Sequence, residues 1–166
     1  MRSEKLVIAR TFRELKVYER ARAAADRIYS LSKKFPPEER YSLTDQIRRS
    51  SRAVKAMIAE AWGRRRYKLV FISKLDEALG EATEVQSWLD DYISAGHLTK
   101  GDFDWFNSEY VGIDHMLSRM IDRADDFCKY APATDYRNVP RVEESEPITD
   151  HSATITVPSD MDGFFA

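Results

Sequence analysis

Between positions 11 and 130 the apolar residues return every three or four positions, the period of a helix with one buried face. Phe12, Leu15, Tyr18, Ala21, Ala25, Ile28 and Leu31 predict a first helix over Thr11–Lys34, stopped by Pro36-Pro37. Ser42 followed by Asp45 predicts a capped start for a second helix that runs to Trp62 and stops at Gly63. A third follows the Arg64-Arg65-Arg66 corner, through Tyr67, Phe71, Leu75, Leu79, Ala82, Val85, Leu89 and Ile93, and ends at Gly96. Thr99 and Asp102 repeat the cap signature ahead of a fourth, marked by Phe103, Phe106, Tyr110, Ile113, Leu117, Met120, Ala124 and Phe127. Short connections make successive helices antiparallel, so the expected fold is all-α: an up-down four-helix bundle over residues 11–130.

The period fails on either side of that block. Residues 1–10 form an N-terminal extension, and residues 131–166, rich in Pro, Thr, Ser and acid, are expected to be a mostly disordered acidic tail. The tail ends in the aromatic pair Phe164-Phe165, which is either inert or a docking element for a partner. No apolar stretch approaches the roughly 20 residues of a membrane span. The single cysteine, Cys128, excludes an intramolecular disulfide and a thiolate metal cluster within one chain, so a cytoplasmic location is expected.

Charge alters the picture. The formal net charge is only -2, but residues 1–74 hold 20 Lys and Arg against 8 Asp and Glu, and residues 75–166 hold 6 against 20. Such polarity fits a surface for polyanions or halves that neutralise each other across subunits. At 100° per residue, Ile47, Ser51, Val54, Ile58, Ala61 and Trp62 share the core arc of helix two. Arg48, Arg52 and Lys55 fall in a neighbouring arc with Arg49 further round, and Arg64, Arg65, Arg66 and Lys68 extend the ridge past the helix end. These eight cations are the candidate nucleic-acid contacts, suited to phosphates rather than to base sequence. The alternative is that they pair with Glu60, Glu77, Glu81 and Glu84, or lock subunits together where Ala53, Ala56 and Ala59 let another helix approach.

Catalytic patterns are missing. No Glu has a His three residues later, as a di-metal bundle centre needs, so no metal or cofactor is expected. Gly96 and Gly101 have phosphate-loop spacing, but Asp102 and Phe103 stand where Lys and Ser/Thr are required. His97, His115 and His151 suggest no triad, and Trp62, Trp88 and Trp105 read as packing residues. Cys128 reads as a small packed hydrophobe, with Lys129 beside it mildly favouring the thiolate.

The run from Phe35 to Ser50, FPPEERYSLTDQIRRS, and then Ile58-Ala59-Glu60-Ala61-Trp62-Gly63-Arg64 resembles the four helix bundle protein family, also called the 23S rRNA intervening sequence protein family. Phe12-Arg13-Glu14-Leu15-Lys16-Val17-Tyr18 resembles its opening and Ala78-Leu79-Gly80-Glu81-Ala82 its third helix, so the likeness covers residues 11–128. Ala61 stands where the family has glycine, which lets helix two continue toward Gly63. The resemblance implies an up-down bundle assembled as a ring-like homopentamer, without enzymatic activity and with an RNA-related role. It also implies kinship with the accessory variability protein of diversity-generating retroelements, a basic pentamer that engages a reverse transcriptase and nucleic acid. The expectation is therefore a non-enzymatic, oligomeric protein that binds RNA or DNA; the alternative is a scaffold or accessory subunit, for example of a reverse transcriptase.

Overall fold

The computed structural model describes residues 9–129, and the expectations for the start of the N-terminal extension and for the acidic tail lie outside them. Four long helices make up the fold: α1 (Lys16–Ser32), α2 (Asp45–Arg64), α3 (Lys68–Ser94) and α4 (Lys100–Asp122), followed by a short α5 (Ala124–Cys128). No strand occurs among the described residues. Each long helix packs against two others: α2 and α3 share the longest seam, α4 lies against α3, and α1 closes the set by touching α2 and α4. Among the described residues, no helix is long and apolar enough to cross a membrane.

The core is the set of positions that the apolar period marks. Ile47, Val54, Ile58 and Ala61 of α2 meet Phe71, Leu75, Ala78, Ala82, Val85 and Leu89 of α3, all at most 1% exposed. Phe106, Tyr110, Ile113 and Leu117 line the inner face of α4, and Ala21, Ala24 and Ile28 that of α1. Small residues such as Ala78 and Ala82 in the buried face of α3 permit close helix packing. Two ion pairs hold α1 to α4: Arg20 Nε to Glu109 at 2.9 Å, and Arg27 to Asp102 at 2.9 Å, where Arg27 also covers the Trp105 ring at 4.0 Å.

Four helix boundaries differ from expectation. The first helix does not start at Thr11: a 3-10 turn at Phe12–Glu14 is separated from α1 by Leu15, whose backbone is extended at φ -73°, ψ 124°. Ser42 and Asp45 do not form a cap. A 3-10 turn at Pro37–Glu39 and a π-helical turn at Arg40–Thr44 lead directly into α2, so Thr44 is already helical, and the Ser42 hydroxyl donates back to the Glu39 carboxylate. The chain gains an early start because Pro37 supplies a preset φ for the first turn. Gly63 does not stop α2, which runs to Arg64; with helical dihedrals a glycine weakens a helix without ending it. Arg123 breaks the last helix into α4 and α5, its backbone leaving the helical region at φ -107°, ψ 28°.

The other two punctuation marks behave as expected. Gly96 sits at φ +76°, with the His97 amide bonded to the Tyr92 carbonyl and the Gly96 amide to that of Ile93, a Schellman end for α3. The Thr99 hydroxyl oxygen accepts the Asp102 amide at 3.1 Å and donates to the Asp102 carboxylate at 2.8 Å, capping α4.

Three stability tests follow from these helices. Gly96→Ala should lower unfolding free energy by about 1 kcal/mol in urea titration, because it forces a Cβ into the left-handed region. Gly80→Ala, in the interior of α3 where an added Cβ meets nothing within 4 Å, should raise it by about 0.5–1 kcal/mol. Asp102 is held below the usual carboxylate range, first by the Thr99 hydroxyl and then by Arg27. A depressed folded pKa stabilises the fold above the ordinary carboxylate value, and that contribution fades as pH falls through the folded value. Asp102→Asn should therefore lower stability at neutral pH and flatten the acid limb of the stability profile.

A cation cluster around Tyr29

The ridge of eight candidate cations is divided by the structure into two parts. Toward the N-terminal half of α2, Arg48 and Arg52 stand one turn apart and reach across to α1, placing their guanidinium carbons 5.1 and 5.2 Å from the centre of the Tyr29 ring. Lys33, one turn beyond Tyr29, brings its ammonium to 4.7 Å from the same ring. Tyr29 is 41% exposed, so three cations converge on an aromatic surface open to solvent. None of the three forms an ion pair with a carboxylate among the described residues. Arg48 is fixed: its Nε donates to the Ser32 Oγ at 2.7 Å, while that hydroxyl donates to the Tyr29 carbonyl.

At the C-terminal end of α2 the cations are committed to the fold. Arg64 pairs with Glu60 at 3.1 Å, and Lys68 with Asp125 of α5 at 2.8 Å. Arg65 lies over the Trp62 ring at 4.0 Å and donates to the Trp62 carbonyl at 2.6 Å, and partial burial pulls its pKa down. Arg66 covers Tyr67 at 4.9 Å. Of the expected acidic partners, Glu60 and Glu77 take Lys74, and Glu84 accepts the Trp88 indole N–H.

Arg49 is exposed and lines a groove of about 430 Å³ between α2 and α3, with Arg52, Ala53, Ala56 and Met57 on one side and Glu81 and Glu84 on the other. Of the small residues noted in the sequence, Ala53 and Ala56 line it and Ala59 does not. Lys55 is half-buried nearby on α2 and forms no ion pair among the described residues.

The described residues contain no group of three or more His, Cys, Asp or Glu placed to hold a metal ion. The Cys128 pKa is pushed up, first by burial and then by Asp125, while Lys68 and Arg65 act in the opposite sense. On α4 the buried Tyr110 lies one turn before the half-buried Asp114, and no hydrogen bond joins them. Burial raises both pKa values, and Gln86 of α3 donates to one Asp114 oxygen at 2.8 Å.

The sequence reading missed Tyr29 and Lys33, because both lie on the outer face of α1 and look like ordinary solvated positions. The available signal was their i, i+4 spacing at the end of a helix that must pack beside the Arg48–Arg52 pair.

An all-helical bundle with a basic face between its first two helices is the class of protein defined here. The chain belongs to the 23S rRNA-intervening sequence protein family, whose profile matches residues 13–119. Its fold is similar to the crystal structure of a protein of unknown function from the S23 ribosomal protein family of Bacteroides thetaiotaomicron, with a TM-score of 0.59 and 30% identity over 64% of this chain and 95% of that one. No curated protein matches the chain.

The division of the ridge has a measurable consequence. Arg65→Ala should cost about 1–2 kcal/mol of stability, the loss of a carbonyl hydrogen bond and a partly desolvated ring contact. Arg49→Ala should stay within about 0.5 kcal/mol of the parent in the same denaturant titration.

Proposed function

We propose that this chain is a non-enzymatic, nucleic-acid-associated protein that works as a homo-oligomer, using the Tyr29-centred cations to hold RNA. The observation that carries this reading is the convergence of Lys33, Arg48 and Arg52 on one half-exposed ring, none of them in an ion pair among the described residues. Elsewhere in the bundle Arg20, Arg27, Arg64, Lys68 and Lys74 all have acidic partners. Three cations grouped without an anion repel one another, and a phosphate backbone relieves that repulsion while releasing counterions. An aromatic ring among them adds a surface on which a base or sugar can lie. Arg49 and Lys55 widen the positive field along α2.

The family resemblance supports an up-down arrangement and a ring-like pentamer, and the single cysteine, Cys128, suits a cytoplasmic location. The three-residue link from Arg64 to Lys68 and the short turn from Ser94 to Lys100 suit antiparallel neighbours. Repetition of a weak basic site around a ring would raise affinity without new contacts.

A second reading is favoured by the α2–α3 groove. Its floor of Ala53 and Ala56, bordered by Arg49 and by Glu81 and Glu84, suits the close approach of a helix from another subunit or from a partner such as a reverse transcriptase. In that case Arg49 serves assembly, and nucleic acid is bound weakly or by the partner.

Fluorescence anisotropy with labelled RNA and DNA across a salt series, with light scattering on the same samples, tests the two. The expected result is steeply salt-dependent binding by an intact oligomer, lost in the Lys33→Glu, Arg52→Glu double variant with no change in mass. Each single neutral substitution should lower the logarithmic salt slope by about 1. Absence of binding at low salt by an intact oligomer would defeat the nucleic-acid reading. Dissociation on Arg49→Ala would support the scaffold.

A further inference from the structure

The geometry points to a phosphate-binding pocket at the elbow between α1 and α2, next to the Tyr29 cluster and continuous with it through Arg48 and Lys33. The pocket is a cleft of about 190 Å³ walled by the Phe35-Pro36-Pro37 turn, which carries the most distinctive run of the sequence. Three cations line it from three separate stretches of chain: Lys33 just beyond α1, Arg40 in the π-helical turn, and Arg48 in α2. Two hydroxyl residues, Ser32 and Thr44, complete the lining and are only 3% and 5% exposed. No carboxylate among the described residues lines the cleft. Glu39, adjacent in sequence, accepts the Ser42 hydroxyl.

The hydrogen bonds leave donors available to an anion. Ser32 takes Arg48 by its Nε, so both terminal nitrogens of that guanidinium have no partner among the described hydrogen bonds. The Thr44 hydroxyl oxygen accepts the buried Tyr92 hydroxyl at 3.2 Å, which leaves the Thr44 proton to donate elsewhere. Tyr92 cannot move to release it: the ring is fully buried and stacked on Phe35 at 4.1 Å. The result is a rigid wall carrying a guanidinium fork, a second guanidinium, an ammonium and a hydroxyl donor. Tetrahedral oxygens with up to two negative charges match that set, whereas a carboxylate matches neither the charge nor the number of donors. The volume holds one phosphate group with a few waters. The π turn at Arg40–Thr44, between the 3-10 turn and α2, carries both Arg40 and Thr44, which line the same cleft.

The phosphate group can belong to nucleic acid, at a chain end or within the backbone, or to a free phosphorylated small molecule. The nucleic-acid source rests on the function proposed above; the pocket itself does not.

Calorimetry on the full chain in phosphate-free, low-salt buffer separates these. Inorganic phosphate is titrated first, then a single-stranded oligoribonucleotide bearing a 5′-phosphate, then the same strand with a 5′-hydroxyl. Variants are Arg40→Ala, which is exposed and outside the core, Thr44→Val, and Arg64→Ala as a cation distant from the pocket in sequence and committed to Glu60. Inorganic phosphate should bind, with affinity about tenfold weaker in Arg40→Ala and in Thr44→Val, and unchanged in Arg64→Ala. A melting temperature preserved in Arg40→Ala confirms that the loss is not unfolding. Preference for the 5′-phosphorylated strand identifies a chain end, and equal binding of both strands, reduced by the pocket variants, identifies the backbone; either supports the pocket. Phosphate binding without strand binding also supports it, while removing the nucleic-acid source. Absence of phosphate binding, or binding indifferent to Arg40→Ala and Thr44→Val, overturns the pocket even if the strands bind through Tyr29 and Arg52.

Discussion

Helix α2 has to serve two surfaces at once, and the bundle is arranged around that demand. Its inner arc of Ile47, Val54, Ile58 and Ala61 is buried against α3 in the longest seam of the fold, which fixes the rotation of the helix about its own axis. With that rotation set, Arg48 and Arg52 reach toward α1 and the Tyr29 ring. The charge on that side is therefore a consequence of core packing. A turn of α2 by one residue would carry an arginine toward the core, at a large desolvation cost.

The two ends of α2 show how the same residue type takes different work from its surroundings. At the C-terminal end acids lie within reach, and Arg64 and Lys68 close on Glu60 and Asp125, while Arg65 folds over Trp62. These are mostly exposed pairs of modest worth, but they remove the corner's cations from the field available to a ligand. At the N-terminal end the opposing surface is Tyr29 and the hydroxyls of Ser32 and Thr44, which orient cations without neutralising them. An aromatic face and neutral oxygens hold the guanidinium groups in place and leave their charge intact.

The elbow between α1 and α2 joins the packing argument to the charge argument. Phe35 stacks on Tyr92, and the Tyr92 hydroxyl, its pKa pushed up to about 12 chiefly by burial, donates to Thr44. Thr44 is thus a buried polar residue with a structural partner on one side and a cleft on the other. The run that marks the family most clearly spends its aromatic, proline and threonine residues building this corner, and its arginines facing it. Structural and ligand-facing roles are interleaved within a dozen residues.

Sequence periodicity determined four amphipathic helices, their inner faces residue by residue on α2, the cap at Thr99 and the glycine end at Gly96, because each follows from interactions within a few residues of chain. It misplaced the start of α2 and gave Gly63 a stop it does not make, since a polar triplet and a glycine read the same in several backbone settings. It also drew eight cations as one ridge. Which of them lie opposite acids, and which lie opposite Tyr29, depends on residues up to 57 positions away, as between Lys68 and Asp125. That pairing exists only after the hydrophobic seams have fixed the helices against one another, so only the tertiary structure could divide the ridge into a structural corner and an open cluster.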